Sequence, residues 1–195
     1  MSRITVRKAL AELKERGYIV KRHGIGSFVA SIKSTATADT GLPDVMGAIT
    51  QMGATPSVAL TGFHIIADGR ESVVREKLHL GDDDYLYAIT YDVYGDRQLI
   101  GRSAWYLTFE TFPNLYFSEL AHRNLLQLLA TKYQFVPRFT VQRTSGLASR
   151  AEERLYGGVT GNNVLHFRFL GQQNEGSNVP AVYGELVLAG PVTMY

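Results

Sequence analysis

The residues best suited to bind another molecule are basic side chains near the N-terminus. Arg3 and Arg7 lie off the apolar stripe of a predicted helix, and Thr5 shares its first turn with Arg3. A guanidinium group binds phosphate oxygens or base edges through paired hydrogen bonds. The first turn of a recognition helix is the part that reaches base edges. The pattern therefore predicts contact with DNA.

Charge separates this segment from the rest of the chain. Residues 1–30 hold seven Lys and Arg against two acids, a net charge of +5. The remaining residues hold 13 basic and 16 acidic side chains, a net charge of −3. Since phosphate attracts positive charge, we expect only the N-terminal segment to bind a nucleic acid backbone.

A helix followed by a hairpin would position these basic residues. Ser2 is a good N-cap and Gly17 a good C-terminal stop. The apolar stripe between them is formed at helical spacing by Val6, Ala9, Leu10 and Leu13. Short strands are predicted at 18–22 and 27–30, and the sequence HGIG between them suits a tight turn.

A second set of candidate binding residues lies in predicted strands further along the chain. Arg102 and Arg143 sit in mid-strand, where a guanidinium fork could capture a carboxylate or phosphate. Tyr91 and Tyr183 come from strands that could face the same pocket, and Arg138 and Arg168 are weaker candidates. The alternative for each arginine is an exposed strand position, or an ion pair with Glu110, Glu175 or Glu185.

Composition argues against several other functions. The chain has no Cys, which excludes disulfides, thiolate zinc sites and cysteine nucleophiles. Its five histidines lack metal-ligand spacing, and no phosphate loop, nucleophile elbow or catalytic carboxylate pair stands out. We therefore expect no metal, no cofactor and no catalysis. Trp105 is expected in the core or a subunit interface.

Nothing in the sequence suggests a membrane or a secretion route. No apolar run approaches the roughly 20 residues needed to cross a bilayer. The N-terminus has no signal-peptide pattern, because its apolar residues alternate with Arg and Lys. We expect a cytoplasmic protein.

The pattern after residue 30 predicts a linker at 31–43 and an α+β domain at 44–195. Helices are predicted at 44–53, 70–80, 124–133 and 149–156, with Val73, Val74, Leu78 and Leu80 of the second facing inward. Strands are predicted at 57–67, 85–94, 98–107, 138–145, 164–172 and 181–188. Six strands with long hairpins favour a mainly antiparallel sheet with helices packed on one face.

The first thirty residues resemble the second half of the winged helix-turn-helix of GntR-family bacterial regulators. The matching motif is S-R-x-T-V-R-x-A-L-x-x-L-x-x-x-G, followed by a basic pair and G-x-G-[ST]-F-V. The resemblance implies a DNA-binding domain at 1–30 and operator DNA as the partner. It implies that the residues touching bases or phosphates are Ser2, Arg3, Thr5 and Arg7. It places Arg22, His23, Gly24 and Gly26 in the wing.

Domains of this family normally have about two further helices before the recognition helix. Those helices build the other side of the small core that Leu10, Leu13 and Ile19 would join. We therefore expect the chain as it stands to bind operator DNA weakly or not at all.

The later residues resemble the UTRA effector domain of the HutC subfamily, whose fold is like that of chorismate lyase. The matching stretches are EKLHLGDDDYLY, AEERLYGGVTGNNVLHF and VPAVYGELVL. The resemblance implies a homodimer and a small, anionic effector held by arginines, hydroxyls and a late Glu. Where the family's second strand often carries two arginines, this chain has Ala88 and Tyr91. Those departures indicate a different effector or a degenerate pocket.

Three functions follow from these observations. The first is a ligand-responsive transcription regulator, most simply a repressor, in which the effector changes operator affinity. The second is a chorismate-lyase-like enzyme, which the attached DNA-binding motif disfavours. The third is a dimerisation module whose ligand pocket has decayed.

Overall fold

The structure is a computed structural model, and it describes residues 19–22, 26–29, 42–156, 163–173 and 179–189. The chain divides into two compact units, Met1–Ala38 and Asp39–Tyr195. The predicted recognition helix and residues 31–41 of the linker predicted at 31–43 lie outside the described residues. So do six of the predicted DNA-binding residues, namely Ser2, Arg3, Thr5, Arg7, His23 and Gly24.

In the smaller unit the predicted hairpin is confirmed. Strands β1 (Ile19–Arg22) and β2 (Gly26–Val29) pair antiparallel, from Ile19 opposite Val29 to Arg22 opposite Gly26. Arg22 and Gly26 therefore form the last pair of this ladder.

The larger unit is built on one antiparallel sheet of six strands, which confirms the predicted fold class. The strands are β3 (Pro56–Ile66), β4 (Leu86–Gly95), β5 (Gln98–Thr108), β6 (Pro137–Leu147), β7 (Asn163–Gln173) and β8 (Pro180–Ala189). Their order across the sheet is β3-β4-β5-β8-β7-β6. The sheet therefore consists of two antiparallel sets, β3-β4-β5 and β8-β7-β6, joined where β5 pairs with β8.

Five helices accompany the sheet within the described residues. They are α1 (Val45–Gln51), α2 (Ser72–Leu78), α3 (Phe117–His122), α4 (Leu125–Tyr133) and α5 (Arg150–Leu155). Four of them were predicted from the sequence. Helix α3 was not, because its six residues are too short to show a helical period.

One face of the sheet, here called the covered face, carries the main apolar core. Alternate residues of each strand, such as Ile89, Leu107 and Phe169, are buried in it. Helices α1, α3 and α4 supply its other side, and Leu128 and Leu129 of α4 are fully buried. Burial of this amphipathic set is what holds the three helices against the sheet.

The helices cover both faces of the sheet, whereas the sequence suggested one. Helix α2 packs through Val74 and Leu78 on Tyr183, which alternation places on the opposite face from Val182. Leu155 of α5 packs in a third cluster on that same face. We call this second face the polar face.

The inward side of α2 differs from the prediction at one residue. Val74 and Leu78 are buried as expected, but Val73 is 60% exposed. Its place is taken by Arg75, which is buried and donates from Nε to the Arg70 carbonyl and from Nη1 to the Asp84 carbonyl, both at 2.8 Å. Backbone carbonyls accept from Nε and Nη1, whereas the buried Nη2 has no hydrogen-bond partner among the described residues. A basic residue thus occupies a buried position that apolar periodicity alone would not assign to it.

A glycine permits close aromatic packing on the covered face. Trp105, Gly184 and Phe169 are directly opposite one another on β5, β8 and β7. The two rings stack at 5.5 Å with an interplanar angle of 11°. A Cβ at position 184 would lie 2.8 Å from Trp105 Cε3 and 3.1 Å from Phe169 Cδ2. The stack therefore requires the absence of a side chain at Gly184.

We expect Gly184→Ala to lower the free energy of unfolding by about 1–3 kcal/mol, because the added methyl group must displace both rings. Urea denaturation followed by tryptophan fluorescence measures the change. Gly146→Ala, in β6, is the matched control, since a Cβ there has no atom within 4 Å. Equal stability of the two variants would contradict the packing role of Gly184.

Candidate functional site

The middle of the polar face forms a trough between two helices. Its floor is a row of directly opposite residues on four neighbouring strands, Thr90, Ala104, Glu185 and Arg168. On one side of this row, α2 packs against Tyr106, Tyr183 and Leu170. On the other side, the segment that ends α5 packs against Val187 and Val164.

The size of the trough follows from strand geometry. Tyr183 and Val187 lie on β8 on either side of Glu185, four residues apart. At about 3.3 Å per residue this separates the two helix-covered rows by about 13 Å. The small side chains of Ala88, Thr90 and Ala104 are each half-buried and keep the floor low.

An arginine and a buried aspartate stand at the α5 side of the trough. Arg102 donates from Nε to Asp92 Oδ1 at 2.6 Å and from Nη2 to Oδ2 at 3.0 Å. The Asp92 side chain is 8% exposed and that of Arg102 39%. These hydrogen bonds also raise the pKa of the Arg102 guanidinium. The buried carboxylate thus fixes a partly exposed guanidinium in one orientation.

A glutamate occupies the floor of the trough. Glu185 Oε1 accepts from the Tyr183 hydroxyl at 2.7 Å and from Arg168 Nε at 3.3 Å. Burial raises the pKa of Tyr183 above its ordinary value, and the hydrogen bond to Glu185 raises it further. Tyr183 therefore remains a protonated donor at neutral pH and holds the carboxylate in place.

A cleft within the trough lies beside α2, between that helix and β6, β7 and β8. Lys77 of α2 lines this cleft together with Arg168 and Tyr183. Thr140 and Gln142 of β6 complete its polar lining. The cleft therefore offers cationic, hydroxyl and amide groups to a ligand.

At the opposite end a histidine links the sheet to α5. His166 Nε2 lies 3.4 Å from Glu152 Oε1, on the same row of the sheet as Arg102 and Val187. Glu152 also accepts from the Ser149 backbone N–H in the capping box that begins α5. These contacts fix the start of α5 beside the trough.

The structure brings two of the four predicted effector residues into the trough. Arg102 and Tyr183 lie on the polar face, on opposite sides of the floor row. Tyr91 and Arg143 lie on the covered face, where Tyr91 packs on the main core and Arg143 lies 5.9 Å from the centre of the Phe167 ring. Arg102 and Arg143 therefore do not line one cavity.

Sequence reasoning missed Asp92 and gave Glu185 only as an ion-pair partner. Within the described residues, Arg102 pairs with Asp92 and with neither Glu110 nor Glu185, and Glu175 lies outside those residues. Arg168 does pair with Glu185. The signal for Asp92 was a single acid within the apolar strand LYAITYDVYG. A charge at such a position needs a partner, and the neighbouring strand of the same hairpin supplies one.

Other features of the described residues bear on the remaining predictions. They contain no group of three or more His, Asp or Glu that could hold a metal ion. None of their helices is long and apolar enough to cross a membrane. Trp105 lies in the main core, and its Nε1 donates to Ser103 Oγ at 3.3 Å.

The larger unit has the fold of the effector domains of GntR-family transcriptional regulators. It is similar to the effector domain of PhnF from Mycobacterium smegmatis, with a TM-score of 0.61 and 12% identity over 77% of this chain and 90% of that one. It is also similar to a GntR-family transcriptional regulator from Enterococcus faecalis V583, with a TM-score of 0.61 and 17% identity over 71% and 97%.

A curated sequence gives a further likeness. The chain is 25% identical over 158 residues to YurK of Bacillus subtilis (strain 168), an uncharacterized HTH-type transcriptional regulator. The match covers 80% of this chain and 63% of YurK, so the chain spans less than two thirds of that relative. No family model matches the sequence.

Tyr91 gives a test of how the covered face is packed. Its hydroxyl oxygen is buried and has no hydrogen-bond partner among the described residues. We expect Tyr91→Phe to leave the free energy of unfolding unchanged or raise it by up to about 1 kcal/mol, because no hydrogen bond is lost. In the comparison variant Tyr156→Phe, the hydrogen bond to the Val187 carbonyl at 3.2 Å is lost. That change should cost about 1 kcal/mol in urea denaturation. A larger loss in Tyr91→Phe than in Tyr156→Phe would contradict this account.

Buried tyrosines also predict an alkaline limit of stability. Burial raises the pKa of Tyr91, Tyr106 and Tyr156 from 10.0 to about 12. In the unfolded chain these groups lose their protons first, so stability is complete below about pH 10 and falls as the pH rises towards 12. Urea unfolding measured at a series of pH values between about 8 and 12 gives the slope of the free energy of unfolding against pH. Tyr91→Phe should make it shallower, and an unchanged slope would refute the burial of that hydroxyl.

Proposed function

We propose that the chain is part of a ligand-responsive transcription regulator of the GntR family, in which the larger unit binds a small effector in the trough. The observation that carries the proposal is the polar trough between α2 and α5 on an effector-domain fold. Oriented guanidinium and carboxylate groups converge there from four strands, which is the usual construction of a small-molecule site. We assign Arg102, Tyr183, Glu185 and Arg168 to contact with the effector.

The smaller unit is proposed to bind operator DNA. Two features support this, the basic charge of residues 1–30 and the β1–β2 hairpin that follows the predicted recognition helix. Residues Ser2, Arg3, Thr5 and Arg7 would contact bases or phosphates, and the wing turn from Arg22 to Gly26 would lie against the backbone. The likeness to an HTH-type regulator agrees with this assignment.

In this mechanism the free energy of effector binding is coupled to the free energy of operator binding. A homodimer would set the spacing of two DNA-binding units, and an effector that favours one spacing would change operator affinity. A coupling of roughly 1–3 kcal/mol is enough for such a switch. A HutC-type repressor with a UTRA effector domain is the form of this mechanism that the sequence resemblance supports.

The effector site is tested by a thermal-shift screen of neutral, zwitterionic and anionic metabolites. A ligand at about 100 times its Kd stabilises the folded state by about 2.7 kcal/mol, which corresponds to several degrees in Tm. Arg102→Gln should weaken binding of that ligand by about tenfold or more, because a charge-assisted hydrogen bond is lost. Arg143→Gln, the same change on the covered face, should leave its Kd unaltered.

Equal weakening by both substitutions would refute the trough as the effector site. The regulatory part is tested separately, by operator binding of a longer version that includes a complete winged helix. Operator affinity that does not change with a ligand of the trough would rule out the switch.

A further inference from the structure

A group of large apolar side chains is exposed where the covered face meets the outer edge of β3. Ile65, Tyr85 and Phe117 are 52%, 53% and 53% exposed, and the half-buried rings of Phe63 and Phe109 lie between them. Single exposed apolar residues are ordinary on protein surfaces, but a connected set marks an interaction surface. We call these five residues the aromatic margin.

Ring contacts join the members of the aromatic margin into one surface. The rings of Phe117 and Phe63 meet edge to face, with 6.5 Å between their centres. The buried ring of Tyr87 stacks on Phe63 at 5.6 Å and on Phe109 at 5.1 Å. Phe109 in turn lies 5.8 Å from Tyr85. The exposed rings of Tyr85 and Phe117 therefore belong to a continuous row that is anchored in the core through Tyr87.

The backbone beside this surface is an open strand edge. Strand β3 pairs with β4, and its other edge has no strand partner among the described residues. A bulge between Leu60 and Gly62 separates off the half of β3 that carries Phe63 and Ile65. Residues 62–66 include neither Pro nor Lys, which commonly protect an open edge from pairing. An extended segment of another chain can therefore add to this half of β3 as a further strand.

The surroundings of the aromatic margin are acidic. Three consecutive Asp residues at 82–84 and Glu110 adjoin it along the chain, and no Lys or Arg lies within three residues of any of its members. None of these four acids forms a salt bridge within the described residues. Lys132, which approaches from α4, is already bonded to Glu119 at 2.7 Å. The surface therefore combines exposed aromatic rings with an acidic rim.

We propose that the aromatic margin and the open edge of β3 form a docking surface for an extended, basic and apolar segment of a partner protein. The segment adds to β3 as a strand, with apolar side chains on Ile65, Tyr85 and Phe117 and with Lys or Arg beside the acidic rim. A second copy of the chain fits less well, because a two-fold pairing through this surface would bring the two acidic rims together. The surface belongs to the covered face, so the inference does not depend on the trough.

The test uses a synthetic peptide of alternating valine and lysine with blocked ends. It is titrated into the isotopically labelled full chain, and binding is followed by NMR chemical shifts. We expect the shifts to map to β3, Tyr85 and α3, and the affinity to fall as salt is added, because charge attraction contributes to it. A peptide of alternating valine and glutamate should bind at least about tenfold more weakly, since the acidic rim repels it.

Two matched variants locate the docking surface. Ile65→Lys should weaken binding of the lysine peptide about tenfold or more, because it removes apolar contact and places a cation at the open edge. Val58→Lys is the control: Val58 is 48% exposed on the same strand and the same face, but lies beyond the bulge. Its Kd should stay within about twofold of the wild type. Urea denaturation of both variants checks that the fold is retained.

Several outcomes overturn the proposal. Absence of binding, equal affinity for the lysine and glutamate peptides, or equal weakening by Ile65→Lys and Val58→Lys would each refute it. Sedimentation of the wild type and of Ile65→Lys provides a further check. If the wild type self-associates and Ile65→Lys alone dissociates it, the occupant is a second copy of the chain and the proposed partner is wrong. These outcomes leave the proposed regulator intact, so the two proposals fail separately.

Discussion

The pairing of β5 with β8 is the contact on which the rest of the larger unit depends. It joins two antiparallel sets that are otherwise built from neighbouring segments of the chain, β3-β4-β5 and β8-β7-β6. Backbone bonds between such distant segments carry a large entropic cost of closure. On the covered face, the stack of Trp105 and Phe169 across Gly184 adds aromatic packing at this contact. The ring stack and the β5–β8 hydrogen bonds therefore stabilise the same contact, and this contact joins the two sets of strands into one sheet.

The proposed ligand site spans the same contact from the other face. Ala104 of β5 is directly opposite Glu185 of β8, so a molecule on the trough floor touches both sets of strands. Helix α2, which belongs to the first set in sequence, packs on Tyr183 of the second. A ligand there adds interactions between parts of the unit that the sheet alone holds together. Such a site is well placed to favour one arrangement of the unit over another, which is what allosteric coupling requires.

The strands could be predicted from the sequence because their apolar residues alternate and their turns carry Gly, Asp and Pro. The order of the strands could not be predicted, because β5 and β8 are separated by more than seventy residues. The alternation of apolar residues does not show which strands pair with each other. The register between β4 and β5 could not be predicted from the sequence either. The turn pairs Gly95 with Gln98, and counting back would place Asp92 opposite Gly101. An extra residue at Ile100 shifts the ladder and places Arg102 opposite Asp92 instead.

The same limit explains the mixed outcome for the four effector candidates. Alternation tells which residues of one strand share a face, but the faces of two strands can be matched only when their register is known. Tyr91 and Tyr183 were therefore expected in one pocket, although they lie on opposite faces of the sheet. Arg102 and Tyr183 share the polar face, and the acids that orient them, Asp92 and Glu185, emerge only from the paired ladder.

Two adjacent residues of β8 show that the covered face and the polar face of the sheet have different roles. Position 184 serves the covered face and admits no side chain, because Trp105 and Phe169 occupy the space above it. Position 185 points to the polar face and is half-exposed, so its side chain does not enter the core. A change at 184 must disturb stability, whereas a change at 185 alters the charge of the trough floor. Because neighbouring positions are separated in this way, the chemistry of the ligand can vary without altering the packing that holds the sheet together.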